Sequence, residues 1–213
     1  WPRDQIGRQI GYLPQDVELF AGSIAENISR LEAETDSEAV IAAAKAAGVH
    51  EMVLNFPDGY QAQIGENGAV LSACQRQRIA LARALYRDPF LVVLDEPNSN
   101  LDSDGDKALM AAIHSVRKRG GIVVVVSHRP GALEALDYVL VMADGKPVSF
   151  GTRDQVLAKH FPNLVGQGAV AKARESGAQQ PAQIAPAPVP KPPPGPAPVA
   201  SPPTQRKTQR SVA

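Results

Sequence analysis

Two unbroken apolar runs stand out along the chain, Leu91-Val92-Val93-Leu94 and Ile122-Val123-Val124-Val125-Val126. Runs this short, without polar alternation, are the pattern of fully buried parallel strands. Between them, Asp104 to Arg119 has the length and composition of a crossover helix. Strand, helix, strand predicts an α/β layered core with a parallel sheet. Upstream, Thr35 and Glu38 have capping-box spacing, which predicts a helix through Ala39–Ala47 that stops at Gly48. A short helix over His50 to Asn55 should follow, and Pro57-Asp58-Gly59 forces a turn. Within Gln75 to Leu85, Ile79, Ala82 and Leu85 recur at helical spacing. Tyr138 to Met142 and Pro147 to Phe150, joined at Asp144-Gly145, read as a hairpin at a sheet edge. There is no internal repeat.

Composition changes this picture at the C-terminal end. Eleven of the 19 prolines lie at or after Pro181, and that stretch holds four basic residues and no acidic one. Such a segment has little to bury and favours polyproline II, so residues 166–213 are expected to form a disordered Pro-rich tail behind a folded body of residues 1–165. Lys+Arg and Asp+Glu are equal at 22 each over the 213 residues, which gives no bulk bias towards nucleic acid. The single cysteine excludes an internal disulfide framework and any zinc site built on several thiolates. The longest apolar run is far short of a membrane span. The opening Trp1-Pro2-Arg3-Asp4 carries no Met and no signal-peptide core, and reads as the interior of a longer protein.

Three constellations carry candidate chemistry. The first apolar strand ends in Asp95-Glu96, and ligands of open α/β sheets gather at the carboxyl ends of strands. The first acid suits a metal held through water, and the second suits a base that orients or deprotonates an attacking water. A strand that merely ends in a polar turn would look the same. The second apolar strand ends at Ser127-His128-Arg129, which places His128 on the same sheet edge, within reach of a terminal phosphate. His50, His114 and His160 have no such setting and read as structural. Third, Leu71-Ser72-Ala73-Cys74-Gln75-Arg76-Gln77-Arg78 opens a helix, whose N-terminal N–H groups suit a phosphate. An ordinary Ser N-cap on a basic amphipathic helix is the plain alternative.

In order and spacing these motifs resemble the ATP-binding cassette (ABC) ATPases. Tyr12-Leu13-Pro14-Gln15-Asp16 resembles the Q-loop, Leu71 to Gln75 the signature motif, and Leu91 to Glu96 Walker B with its catalytic glutamate. Ser99-Asn100-Leu101-Asp102 resembles the D-loop and His128 the switch histidine. Gly65-Glu66-Asn67-Gly68 looks like the loop that exporters place against their membrane domains. More narrowly, Pro14 to Phe20, Gly22 to Ile28, Asp88 to Leu91 and Pro97 to Asp102 look like exporter cassettes, and the Pro97-Asn98-Ser99-Asn100 variant is similar to the permease/ATPase of type I secretion systems, the protease-exporter branch.

The resemblance implies a P-loop NTPase-like cassette core with a helical subdomain at about 22–85, using ATP and Mg2+. It implies that Gln15 senses Mg2+ and the attacking water, that Asp95 holds Mg2+, that Glu96 is the base, and that His128 contacts the γ-phosphate. Ser72, Ala73, Cys74 and Gln75 would close the nucleotide site of a second cassette in a homodimer, and Asp102 would link the two sites. The implied partners are the transmembrane domain of the same exporter, a membrane-fusion adaptor and an outer-membrane channel, with no nucleic acid. The implied location is the cytoplasmic face of a bacterial inner membrane. Two departures stand against this. No Gly-x-x-x-x-Gly-Lys-Ser/Thr occurs in the chain, and that loop supplies the phosphate cradle, the lysine and a magnesium ligand. The usual glycine pair of the signature is Ala73-Cys74, which adds side-chain atoms where a partner's γ-phosphate would rest. A non-catalytic fragment that only binds partners, and an exporter of lipid, peptide or drug, are the alternative readings.

Overall fold

The structure, a computed structural model, describes residues 3–160. The proline-rich segment expected to be a tail lies outside the described residues. The chain runs α1 (Arg3–Gln9), β1 (Ile10–Leu13), α2 (Ile24–Ile28), α3 (Ser37–Ala46), α4 (His50–Leu54), α5 (Ala73–Leu85) and β2 (Leu91–Asp95). It continues with α6 (Ser103–Lys118), β3 (Ile122–Val126), β4 (Tyr138–Ala143), β5 (Lys146–Thr152) and α7 (Arg153–His160).

Strands β1, β2 and β3 form a parallel sheet in that order, as the two apolar runs predict. Leu13 pairs Leu94, which pairs Val125, and Gly11 pairs Val92, which pairs Val123. Leu13, Val92 and Leu94 are buried on the face covered by helices, where α5 packs on β1 and α6 on β3. Gly11 permits that packing, because a Cβ there would lie 1.9 Å from the Ala84 carbonyl oxygen. The opposite face is open: Tyr12, Ile122, Val124 and Val126 are all exposed. The expectation that Ile122–Val126 is fully buried therefore fails. A central parallel strand needs a neighbour on each edge and cover on each face. Among the described residues β3 pairs only with β2.

The hairpin forms with its turn at Asp144-Gly145, but as a separate two-stranded sheet, not as an edge of the parallel one. Tyr138 stacks on Phe150 across it, with ring centroids 5.9 Å apart.

Between β1 and β2 the chain builds α2 to α5, with α5 packed on α2 and α3. Ser23 and Glu26 form a reciprocal capping box on α2. The same spacing at Thr35 and Glu38 does not. Helix α3 begins two residues earlier than expected, and its N-cap is Asp36, whose carboxylate accepts the Ala39 N–H at 3.1 Å. Asp36 holds an extended backbone one residue closer to the helix, so it reaches the third N–H first, while the Thr35 hydroxyl faces that of Ser29. The helix stops as expected at Gly48, which has φ +64°, and the Val49 N–H returns to the Ala44 carbonyl at 2.9 Å. That pattern closes a Schellman motif.

Asp36→Ala should lower stability by about 0.5–2 kcal/mol, as lost N-caps do. Thr35→Ala should change it by less than about 0.5 kcal/mol. Urea unfolding of the two variants separates these caps.

Candidate active site

The carboxyl ends of β2 and β3 meet at Glu96. Asp95 pairs Val126 in the sheet, and one residue later the Glu96 N–H still donates to the Val126 carbonyl at 2.9 Å. Glu96 itself has φ +45°, a left-handed conformation that costs a non-glycine residue about 1–3 kcal/mol. A turn closed by the Ser99 N–H on the Glu96 carbonyl, at 3.1 Å, fixes the reversal. The twist turns the Glu96 carboxylate onto the loop after β3. There its Oε1 accepts the His128 backbone N–H at 3.0 Å and His128 Nδ1 at 2.7 Å, and its Oε2 lies 3.4 Å from the Ser127 hydroxyl.

A carboxylate only accepts, so Nδ1 of His128 carries the proton in this contact. The Glu96 side chain is 13% exposed and His128 is 76% exposed. Burial pushes the Glu96 carboxyl up, but the ring and backbone N–H of His128, its charge and the Ser127 hydroxyl together hold it below the ordinary value. The sign follows: the contact stabilises the fold above the ordinary glutamate range and is lost as pH falls through the lowered value.

Asp95 ends β2, Gln15 lies two residues past the end of the adjacent β1, and among the described residues the Asp95 carboxylate makes no hydrogen bond or ion pair. One free carboxylate and one amide oxygen are a hard-oxygen donor set. Mg2+ typically takes one or two carboxylates, keeps several waters and uses substrate phosphates. The residues therefore fit Mg2+, although no group of three or more His, Cys, Asp or Glu is gathered as a metal cage among the described residues. Glu96 and His128 also border a groove of about 1040 Å³ between β3 and β4, walled by Val124, Val126, Leu140 and Met142.

Ser72 to Gln75 lie at the start of α5. Ser72 is the N-cap, its Oγ accepts the Gln75 N–H at 3.2 Å, and the Gln75 side chain returns to the Ser72 N–H at 2.8 Å. The helix starts at Ala73, two residues ahead of the expected Gln75, because the capping box makes Ser72 the N-cap. Cys74 is half-buried, with its thiol beside Arg78 and Asp102. Asp102 caps α6 through the Gly105 N–H at 2.8 Å and pairs with Arg78. The Gly105 N–H, then Arg78, hold its carboxyl below the ordinary value. The structure thus brings Asp95, Glu96 and His128 together on one edge, and Ser72 to Gln75 with Asp102 into a second cluster.

Sequence reasoning did not single out Ser127, Gln77 and Arg129, which the structure sets against Glu96 or the two residues that follow it. For Gln77 the signal existed: with Ala80, Leu81 and Ala84 it falls at i, i+3, i+4 and i+7, and it is only 1% exposed. Ser127 and Arg129 flank the histidine and carry no periodic signal.

Residues 1–99 match the ABC transporter family model. That span holds Gln15, Ser72 to Gln75, Asp95 and Glu96. The type I secretion system ATP-binding protein PrsD of Rhizobium meliloti is 60% identical over 159 residues, covering 75% of this chain and 27% of that protein. The ATP-dependent lipid A-core flippase of Chromohalobacter salexigens is 40% identical over 154 residues, 72% of this chain and 26% of its own. The chain spans about a quarter of the length of these curated relatives. The solved structure of a bacterial Atm1-family ABC exporter with ATP bound superposes with a TM-score of 0.67 at 27% identity, covering 81% of this chain and 29% of that one.

His128→Ala removes the ring donor and the charge that oppose burial at Glu96. The Glu96 carboxyl midpoint should therefore move upward in a carbon-13 NMR titration. An unmoved midpoint would show that the ring does not hold the carboxylate in solution.

Proposed function

The chain belongs to the ABC transporter ATPases, and on that premise we propose that it is the hydrolytic part of an exporter cassette of the type I secretion kind. The observation that carries this reading is the Glu96–His128 pair at the joined ends of β2 and β3. It gives one carboxylate, held and oriented, beside a second carboxylate that is free for a cation.

Glu96 is the base. Its Oε1 is occupied by two His128 donors, and its Oε2 has only the long Ser127 contact, so Oε2 is the oxygen available to a water. A base below its ordinary value is fully ionised at neutral pH, ready to accept the proton of the attacking water. His128 keeps that carboxylate aimed. To donate to a phosphate through Nε2 while holding Glu96 through Nδ1, its ring must be protonated at both nitrogens. Asp95 and Gln15 would hold Mg2+, which offsets charge on the transferring phosphate when bound. The start of α5, with Ser72, Ala73, Cys74 and Gln75, would close the nucleotide site of a second copy, and Asp102 would stand between the two sites.

The membrane association of this reading rests on relatives, one a secretion-system protein and one a flippase by name. No helix among the described residues is long and apolar enough to cross a membrane. The partners under this proposal are a second cassette, the transmembrane domain of the same exporter, a membrane-fusion adaptor and an outer-membrane channel. The place is the cytoplasmic face of a bacterial inner membrane, and the cargo is polypeptide. The lipid flippase among the relatives keeps a second cargo class in view.

The 213 residues contain no phosphate loop, so the chain alone should release no phosphate from ATP above background. Mg2+-dependent release abolished by Glu96→Gln would contradict this. Joined to a phosphate-loop segment, the same variant should bind ATP as a dimer and turn over about 10²–10⁴-fold slower, the usual loss on removing a general base. In that joined protein Cys74→Gly should raise turnover, since it clears side-chain atoms from the α5 N-terminus. An unchanged rate would show that the thiol, turned to Arg78 and Asp102, does not crowd the partner's phosphate.

A further inference from the structure

Glu96 is left-handed, and the residues after it show what keeps it so. Pro97 is buried, and its carbonyl accepts the Gln77 side-chain amide of α5 at 3.2 Å. The Asn98 carbonyl accepts Arg129 Nη1, from the residue after His128, at 3.1 Å. Asn98 is itself 8% exposed, and its Nδ2 donates to Asp106 Oδ1 on α6 at 2.7 Å. Two consecutive carbonyls behind the base are thus each held by a side chain, one from α5 and one from the loop after β3.

The cost at Gln77 argues that this contact is more than filler. Gln77 is fully buried on the apolar stripe of α5, and its Oε1 has no hydrogen-bond partner. A buried polar atom without a partner is destabilising, and an apolar residue of the same shape would avoid that penalty. The one thing Gln77 supplies that such a residue would not is the N–H to Pro97. Asn98 follows the same pattern, with an unpartnered buried Oδ1 beside a short bond to Asp106.

We propose that Gln77 and Arg129 are positioning residues that hold Glu96 in its left-handed conformation by clamping the carbonyls of Pro97 and Asn98. The inference rests on the reading of Glu96 as the base. It adds a mechanical link: Gln77 lies one turn inside α5, the helix that Ser72 caps, and Arg129 adjoins His128. Displacement of the α5 N-terminus by a second copy would then reach Glu96 through one hydrogen bond, without passing through the nucleotide.

The test reads backbone geometry in the full 213-residue chain and needs no turnover, so its failure is distinguishable from failure of the hydrolytic reading. Amide hydrogen exchange is followed at Glu96 and Ser99, and at Val93 in the body of β2 as reference. Gln77→Met keeps the volume and loses the donor. Exchange at Glu96 and Ser99 should quicken by roughly two- to tenfold relative to Val93, the equivalent of one net hydrogen bond. Arg129→Met should do the same, and Arg129→Lys, which restores a donor, should recover most of the protection. If Gln77→Met fails to fold, the Arg129 pair decides alone. Exchange that changes equally at Glu96, Ser99 and Val93, or not at all, would overturn the clamp.

Discussion

The candidate site depends on the parallel register of β2 against β3. That register places Asp95 opposite Val126 and lets the Glu96 N–H continue the ladder to the Val126 carbonyl one residue past the strand end. The continuation forces the chain to reverse at Glu96, at the cost of a positive φ. The reversal delivers the carboxylate to the His128 N–H and ring. A slip of one residue would send every alternate side chain to the other face, so the buried Val92 and Leu94 hold the chemistry in place. Core packing and site geometry are here one constraint.

The open face of the sheet belongs to the same account. Ile122, Val124 and Val126 would be covered in a complete parallel layer, yet they are exposed along the groove that Glu96 and His128 border. Under the proposed function, Glu96 and His128 of this chain would handle the attacking water. The backbone cradle that the family uses to grip phosphate has no counterpart in its sequence. The exposed apolar face of β3 thus adjoins the Glu96–His128 pair.

Much of this was legible in the sequence, for physical reasons that differ from element to element. The apolar, β-branched runs of β2 and β3 are legible as strands, and the chain just past their ends supplies the residues that meet. Helix α6 was legible from its length between strands, and α3 from its Gly48 stop. The N-caps were less so, because a Ser or Thr with Glu three residues on is only a spacing. The spacing was true at Ser23 and a decoy at Thr35, where the next residue, Asp36, takes the N-cap position and accepts the Ala39 N–H. The exposure of β3 was hidden, since composition reports what a strand needs and not whether the cover is present. Gln77 was overlooked between two arginines, although its helical phase already placed it among alanines and leucine. The left-handed φ of Glu96 left no sequence signal, because glycine is the usual marker and none stands there.

The central claim is that Glu96 is held by the protonated Nδ1 of His128. Nitrogen-15 NMR of the imidazole rings reads this directly at neutral pH. The account predicts that His128 carries a proton on Nδ1, either alone or with Nε2, and that Glu96→Gln changes its ring signals. A neutral His128 protonated only on Nε2 would contradict it, since such a ring has no hydrogen to give the carboxylate.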